Sequence, residues 1–354
     1  MATTRPTVAV SAPGKVLLTG GYLVLDRQHT GLVCGLSARI NVVAGEITTG
    51  QGVQLSEMVV DSPQFVDAQW RYGYHLAAEG GGIEVTQLQV GSKISRNVFV
   101  ETTLSYVLTY VNHVWHQAIG SARLIILADN DYYSQTPTST TPTPRFARFA
   151  VPLPSAHKTG LGSSAALVTA ITAALLSHYL AEERFSVSTV EGRATLHNLA
   201  QAAHCAAQGK VGSGEEDGET CRELWQKLQM ANDRLAAHLR EATLEDVPSA
   251  IDAIRSLLRE MGRLSNVPIE PASQTELLDA VSAVPGVYGG VVPGAGGYDA
   301  LAVLARDDGD TRDRLEARLR LWTEERGTRV RVLSVGCEDE GVRAEDLDVY
   351  GGWL

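Results

Sequence analysis

The sequence is poor in cysteine. Four residues in 354 (Cys34, Cys205, Cys221 and Cys337) lie far apart with no CxxC pair. That argues against a zinc site or a disulfide framework and fits a reducing, cytoplasmic compartment. There is no basic excess either: 30 Lys+Arg against 41 Asp+Glu give a net charge of -11. Nothing then supplies a broad basic face to neutralise phosphates, so a nucleic-acid partner is not expected. Long apolar runs are missing too. Thr159 to Ala181 carries no Asp, Glu, Lys or Arg, but its apolar part, Ala165 to Leu176, is interrupted by Thr169 and Thr172. It falls short of the ~20 apolar residues of a membrane span, so a buried helix behind a glycine loop is expected. The first residues, MATTRPTVAVSAPGK, contain no apolar stretch of signal-peptide type. What remains, 44% hydrophobic and 20% charged, forms cores. The length allows about two domains at ~150 residues each.

Lysine is the scarcest cation, five against 25 arginines. Three of the five, Lys15, Lys158 and Lys210, sit in glycine-containing motifs, whereas Lys227 reads as helix surface. A compact ammonium differs from a forked guanidinium chiefly where a point charge must fit among phosphate oxygens.

Along the chain, Val8 to Ser11 reads as a strand, residues 12–15 as a turn, and Val16 to Leu18 as extended. Leu32-Val33, residues 40–43 and Val53 to Val60 read as further strands. Apolar spacing predicts a helix over Thr103 to Ile119 and a strand over Leu124 to Leu127. TPTSTTPTP (136–144) is a solvated loop and 145–153 a strand. Helices are expected after Ser163 and over 187–208, 222–241, 251–264, 274–283 and 313–326. A strand–loop–strand unit is expected over 286–305 and a last strand over 329–335. The order is α+β without a βαβ rhythm.

Three glycine motifs stand out. His157-Lys158-Thr159-Gly160-Leu161-Gly162-Ser163-Ser164-Ala165-Ala166 opens the buried helix. Small residues let backbone N–H groups approach an anion, the helix start adds partial positive charge, and Ser163 or Ser164 can cap the helix or reach a phosphate-bound Mg2+. Ser11-Ala12-Pro13-Gly14-Lys15 through Gly20-Gly21-Tyr22 is the second, and Gly289-Gly290 through Gly294-Ala295-Gly296-Gly297-Tyr298 the third. Neither Gly14-Lys15 nor Gly209-Lys210 is followed by Ser or Thr, which excludes Walker A. Gly160-x-Gly162-x-x-Ala165 matches the dinucleotide fingerprint in spelling only, because Pro152 and Pro154 precede it and a second helical region follows. His197 and His204, seven apart, share one helix face. With no third ligand at suitable spacing, packing explains them better than a metal.

Together, SAPGKVLLTGGYLVLD, KTGLGSSAALVTA, LAQAAHCAAQGKVGSG and GVVPGAGGYDALAVL resemble the GHMP kinase superfamily, and are most similar to the phosphomevalonate kinases of fungi and other eukaryotes. The resemblance implies ATP-dependent conversion of 5-phosphomevalonate to 5-diphosphomevalonate in the mevalonate pathway to isoprenoids and sterols. It implies a ribosomal protein S5 domain 2-like ATP-binding domain over 1–214 and a ferredoxin-like domain over 221–354. An acidic linker, 215–220, would separate them. By resemblance, Lys158 and the Gly160, Leu161, Gly162, Ser163, Ser164, Ala165 and Ala166 run hold ATP, with Ser164 on Mg2+. Lys15 contacts the acceptor or the moving phosphoryl group. Lys210, Ser213 and the Gly294, Ala295, Gly296, Gly297 loop bind substrate.

One stretch departs from the family pattern. Where the family continues GSG with Phe-Asp and small apolar residues, this chain has Gly214 followed by Glu215-Glu216-Asp217 and then a much later family segment. A block of the fold is therefore expected to be absent after Gly214, leaving unpaired sheet edges and an incomplete core. By count Glu216 takes the position of the family's Asp, a carboxylate near the acceptor oxygen. The competing reading makes residues 215–217 a solvated acidic linker and the enzyme slow. A mevalonate kinase-like enzyme and an inactive nucleotide-binding remnant are the alternatives in function.

Overall fold

A computed structural model describes residues 5–47, 55–89, 94–115, 118–134, 144–209, 218–333 and 335–354. In chain order it has strands β1 (Val8–Thr19), β2 (Leu32–Glu46), β3 (Glu57–Asp61), β4 (Gln69–Leu76) and β5 (Ile83–Leu88), helix α1 (Val98–Trp115) and strand β6 (Ala122–Ala128). Helices α2 (Ser163–Tyr179), α3 (Val190–Gln208), α4 (Gly218–Glu241), α5 (Val247–Ser265) and α6 (Ala272–Ser282) follow. Strands β7 (Val287–Val291) and β8 (Ala302–Ala305), helix α7 (Gly309–Arg326) and strand β9 (Arg343–Glu345) complete this α+β chain.

The chain folds as two compact units, one made of 1–14, 35–211 and 336–354, the other of 15–34 and 212–335. This partition differs from the expected 1–214 and 221–354 at both ends, for reasons visible in the packing. Leu18 and Leu23 are buried in one cluster with Leu224, Leu228, Ile251 and Ile254, which draws 15–34 into the second unit. The C-terminal residues return to the first unit through Tyr350, which is fully buried beside Phe146, Ile125 and Val43.

The larger sheet runs in the order β5-β4-β3-β6-β2-β1-β9. β3 and β6 are parallel, while β2–β6, β3–β4, β4–β5 and β1–β9 are antiparallel. The expected turn at 12–15 is absent, because β1 continues through Pro13 and Gly14. Its pairing with β9 covers only Ala9, Val10 and Ser11. Pro13 therefore lies past the reach of β9. The expected strand over 145–153 is also absent. Phe146 and Phe149 are buried in an irregular segment, and its backbone N–H groups bond Asn130 Oδ1 (from Ala147, 2.7 Å) and Gln64 O (from Phe149, 2.7 Å). Helices α1, α2 and α3 pack on one another, and α2 is buried on nearly every side from Ala166 to Tyr179.

The second unit combines α4 through α7 with the antiparallel β7–β8 pair, a two-stranded sheet among the described residues. No strand forms over 329–333; Val330 and Val332 instead pack beside Leu319 and Trp322 of α7. A buried ion pair ties α5 to the segment before α6: Arg255 Nη2 lies 2.8 Å from Glu270 Oε1, with the two side chains 3% and 1% exposed. Arg259 Nη1 and Thr275 Oγ1 bond the same oxygen. Breaking such a pair from one side strands a buried charge. Glu270→Ala should therefore lower unfolding free energy by about 3 kcal/mol in urea titration, since Asp279 and Asp252 still face Arg255.

Candidate active site

In the first unit the site begins where α2 leaves the core. Gly160 and Gly162 both have φ of 74°, a left-handed conformation that a Cβ disfavours, and between them Leu161 is buried. The apolar side chain anchors the loop while its glycines make the turns. Gly162 is the N-cap, and no side chain caps the helix. The first intrahelical bond runs from Ala166 N to Gly162 O, leaving the amides of the first turn to an outside acceptor. Residues 162–165 are half-buried, with Gly160 and Lys158 exposed, so this helix mouth opens to solvent.

The first and second motifs meet here. A Cβ on Gly14 would lie 2.9 Å from Leu161 O and 2.8 Å from the Tyr132 hydroxyl, so β1 can touch the loop only because residue 14 is glycine. The Tyr132 hydroxyl donates to Ala38 O at 3.3 Å. Burial, reinforced by Asp129 and Tyr133, pushes its pKa far above the ordinary phenol value and keeps it a donor. Thr159 fixes the other flank, its N–H bonding Tyr132 O (3.1 Å) and its hydroxyl Asp131 O (2.5 Å).

Ser164, the second residue of α2, shares a 3.2 Å hydrogen bond with His204 Nε2 on α3. His197 and His204 do share a face. Both line a groove of about 220 Å³ with Ala165, Thr169, Leu196 and Ala200. The contact from His204 to the serine was not legible in spacing, because it joins two helices. A larger cavity of about 460 Å³, around Leu239, Val247 and Tyr288 in the second unit, contains none of the candidate residues.

In the second unit the remainder of the second motif meets the third. Gly294 N donates to Leu17 O (3.3 Å), a Cβ on Gly21 would sit 2.7 Å from Gly294 O, and the Tyr22 hydroxyl donates to Ala295 O (2.5 Å). Tyr22 holds φ 68° and ψ -40°, an outlier for a bulky residue, and burial raises its pKa. Gly296 packs so closely on Ile269 that a Cβ would fall 2.2 Å from its carbonyl oxygen, and Gly297 N donates to that oxygen at 3.1 Å. The buried Arg255–Glu270 pair fixes the adjacent backbone. Lys15 is exposed in this unit and Lys158 in the other. Lys210, Ser213 and Glu216 lie outside the described residues.

Two substitutions test these contacts. Gly14→Ala should destabilise the protein by about 1–3 kcal/mol in denaturant titration, because the methyl meets backbone at the loop. Tyr22→Phe should speed amide hydrogen exchange at 294–297 by about 2- to 12-fold, the worth of one hydrogen bond, with little change elsewhere.

No protein-family profile matches the chain. A phosphomevalonate kinase of Gibberella zeae is 51% identical over 443 aligned positions that take in 100% of both chains. One of Aspergillus fumigatus is 37% identical over 98% of each. Since 443 positions exceed the 354 residues of this chain, the Gibberella protein has stretches without counterpart here. Among solved structures, the Streptococcus pneumoniae phosphomevalonate kinase in complex with phosphomevalonate and AMPPNP shares the fold. Its TM-score is 0.58 at 13% identity, covering 94% of this chain and 100% of that one. Half of all aligned residues identical from end to end is far more than a shared fold requires, and the chain belongs to the phosphomevalonate kinase family of GHMP kinases.

Proposed function

We propose that this chain transfers the γ-phosphoryl group of ATP to the phosphate of 5-phosphomevalonate, giving ADP and 5-diphosphomevalonate. The observation that carries the reading is the uncapped, solvent-open start of α2 behind two left-handed glycines, in a chain 51% identical to a phosphomevalonate kinase. In this reading the amides of Ser163, Ser164 and Ala165 hold phosphate oxygens, Lys158 adds a point charge, and Leu161 anchors the loop. Lys15 serves the acceptor or the moving group, and Gly294 to Gly297 serve the acceptor side, with Lys210 and Ser213.

An acceptor phosphate oxygen attacks the γ-phosphorus, and the bond to the β–γ bridging oxygen breaks as ADP leaves. Positioning and charge neutralisation carry most of such a transfer. A phosphate acceptor asks less of the protein than an alcohol does. A phosphate monoester with a second pKa of about 6 is already mostly dianionic at pH 7, so its nucleophile needs no base. An alcohol would need one, and Glu216 takes the family's Asp position only by count, in a stretch that reads better as a solvated acidic linker. That separates the reading from a mevalonate kinase-like one.

Mg2+ suits the residues present. It keeps several waters, binds phosphates and takes few protein ligands, and the Ser164 hydroxyl at the helix mouth is one. When bound it would neutralise charge on the phosphates. Among the described residues no cluster of three His, Cys, Asp or Glu could hold an ion alone, which favours its arrival with the nucleotide. A cytoplasmic location is supported by the free thiols of Cys205 and Cys337. No described helix is long and apolar enough to cross a membrane.

The purified chain with Mg-ATP and 5-phosphomevalonate should release ADP and give the diphosphate signals of the product by phosphorus NMR, with none from mevalonate. Turnover should be about 10²-fold below that of the longer Gibberella relative, the worth of one electrostatic group at the transition state. Product from mevalonate would favour the alternative enzyme. ATP-dependent thermal stabilisation with neither product would leave a nucleotide-binding remnant.

A further inference from the structure

His204 is a polar group at the helix mouth to which the reading above gives no task. Its Nε2 lies 3.2 Å from Ser164 Oγ, across the α2–α3 interface. Its ring packs on Phe99 of α1 with centroids 5.6 Å apart, and Phe99 packs in turn against Val168, Ala200 and Ala203. The imidazole thus packs on Phe99 of α1 and presents a nitrogen to the serine of α2. Those small apolar side chains join α2 to α3 without help from a hydrogen bond. A serine hydroxyl in a first helical turn can otherwise rotate among staggered wells or turn back on its own backbone.

We propose that His204 is a positioning residue for the phosphate seat: it holds the Ser164 hydroxyl in the one rotamer that meets the nucleotide. This rests on the ATP-binding reading of the α2 start. Fixing the rotor before the ligand arrives removes an ordering cost from binding, which is how packed supporting residues generally sharpen a site. Whichever partner donates, the bond selects one hydroxyl position. The groove beside it, lined by Ala165, His197, Gln201 and His204, leaves the pair reachable from solvent.

The test is a double-mutant cycle read as the calorimetric dissociation constant for Mg-ATP, with thermal stability recorded for each protein. His204→Phe, which keeps a ring on Phe99 and lacks the nitrogen, should weaken binding by about 2- to 12-fold, the worth of one net hydrogen bond. Ser164→Ala should do the same, and the double variant should bind no worse than Ser164→Ala alone. His204→Gln, whose amide reaches the same point, should restore affinity to within about twofold of the unaltered chain. Multiplying losses in the double variant, or unchanged affinity in His204→Phe, would overturn the proposal while leaving the kinase reading intact. Should His204→Phe fail to fold, the comparison of His204→Gln with and without Ser164→Ala decides by the same multiplication. An unaltered chain that binds no ATP would overturn both readings together.

Discussion

The helix α2 can leave the core at only one place. Eleven of its seventeen residues are buried, so its axis and rotation are fixed by packing rather than by a polar face turned to water. Its first turn must therefore open where the core ends, and the chain entering it has to turn sharply there. Gly160 and Gly162 supply the backbone angles, buried Leu161 holds the loop down, and the missing side chain of Gly14 makes room for the Leu161 carbonyl. A loop so constrained keeps its amides in place before any anion arrives. In the proposed function, that pre-organisation would let backbone groups do the work of a larger set of charged side chains in a chain of net charge -11.

The second unit repeats the device with other residues. Its glycine loop carries left-handed angles at Gly294, Gly296 and Gly297 and is pressed on the backbone of Ile269. The next residue, Glu270, is the buried partner of Arg255, so a polar interaction deep in the unit controls where an exposed loop sits. Such a pair gives little net stability, but it tolerates few alternative geometries. The strained backbone of Tyr22, whose hydroxyl reaches the same loop, fits a place where position is held at a cost in free energy.

Much of this was legible in the sequence where one physical cause dominates. The apolar helix after Ser163, the strand–loop–strand over 286–305 and all three glycine motifs follow from periodicity or backbone requirements that need no distant partner. Failures came where a distant partner decides. Pro13 reads as a turn until β9, far along the chain, is seen to stop short of it. The alternation of 145–153 reads as a strand, although its bonds go to Asn130 and Gln64. Strand β4 was missed although Trp70, Tyr72 and Tyr74 alternate into the core. The tie between Ser164 and His204 could not be read from either motif alone. Residues 15–34 joined the second unit through Leu18 and Leu23, a choice made by the cluster that receives them.

The same long-range logic bears on how a shortened family member keeps a sheet. The C-terminal return covers the β1 side of the larger sheet. Strand β9 pairs with Ala9, Val10 and Ser11 of β1, and its sequence, Arg343-Ala344-Glu345, is short and charged. That combination closes an edge without offering a new adhesive one. Behind it Arg39, 1% exposed, donates to Ser11 Oγ (2.6 Å), Ser11 O (3.3 Å), Glu338 Oε1 (3.0 Å) and Gly341 O. Ser11 in turn donates to Glu345 Oε1 at 2.6 Å. Burial lowers the pKa of Arg39 and Arg343 adds to that, while Glu338, Glu345 and Glu340 oppose it. One guanidinium thus fastens the chain's last segment to its first two strands. The strand carrying Gly14 is held in place by residues more than three hundred positions away, so the geometry of the glycine loop that Gly14 touches depends on the far end of the polypeptide.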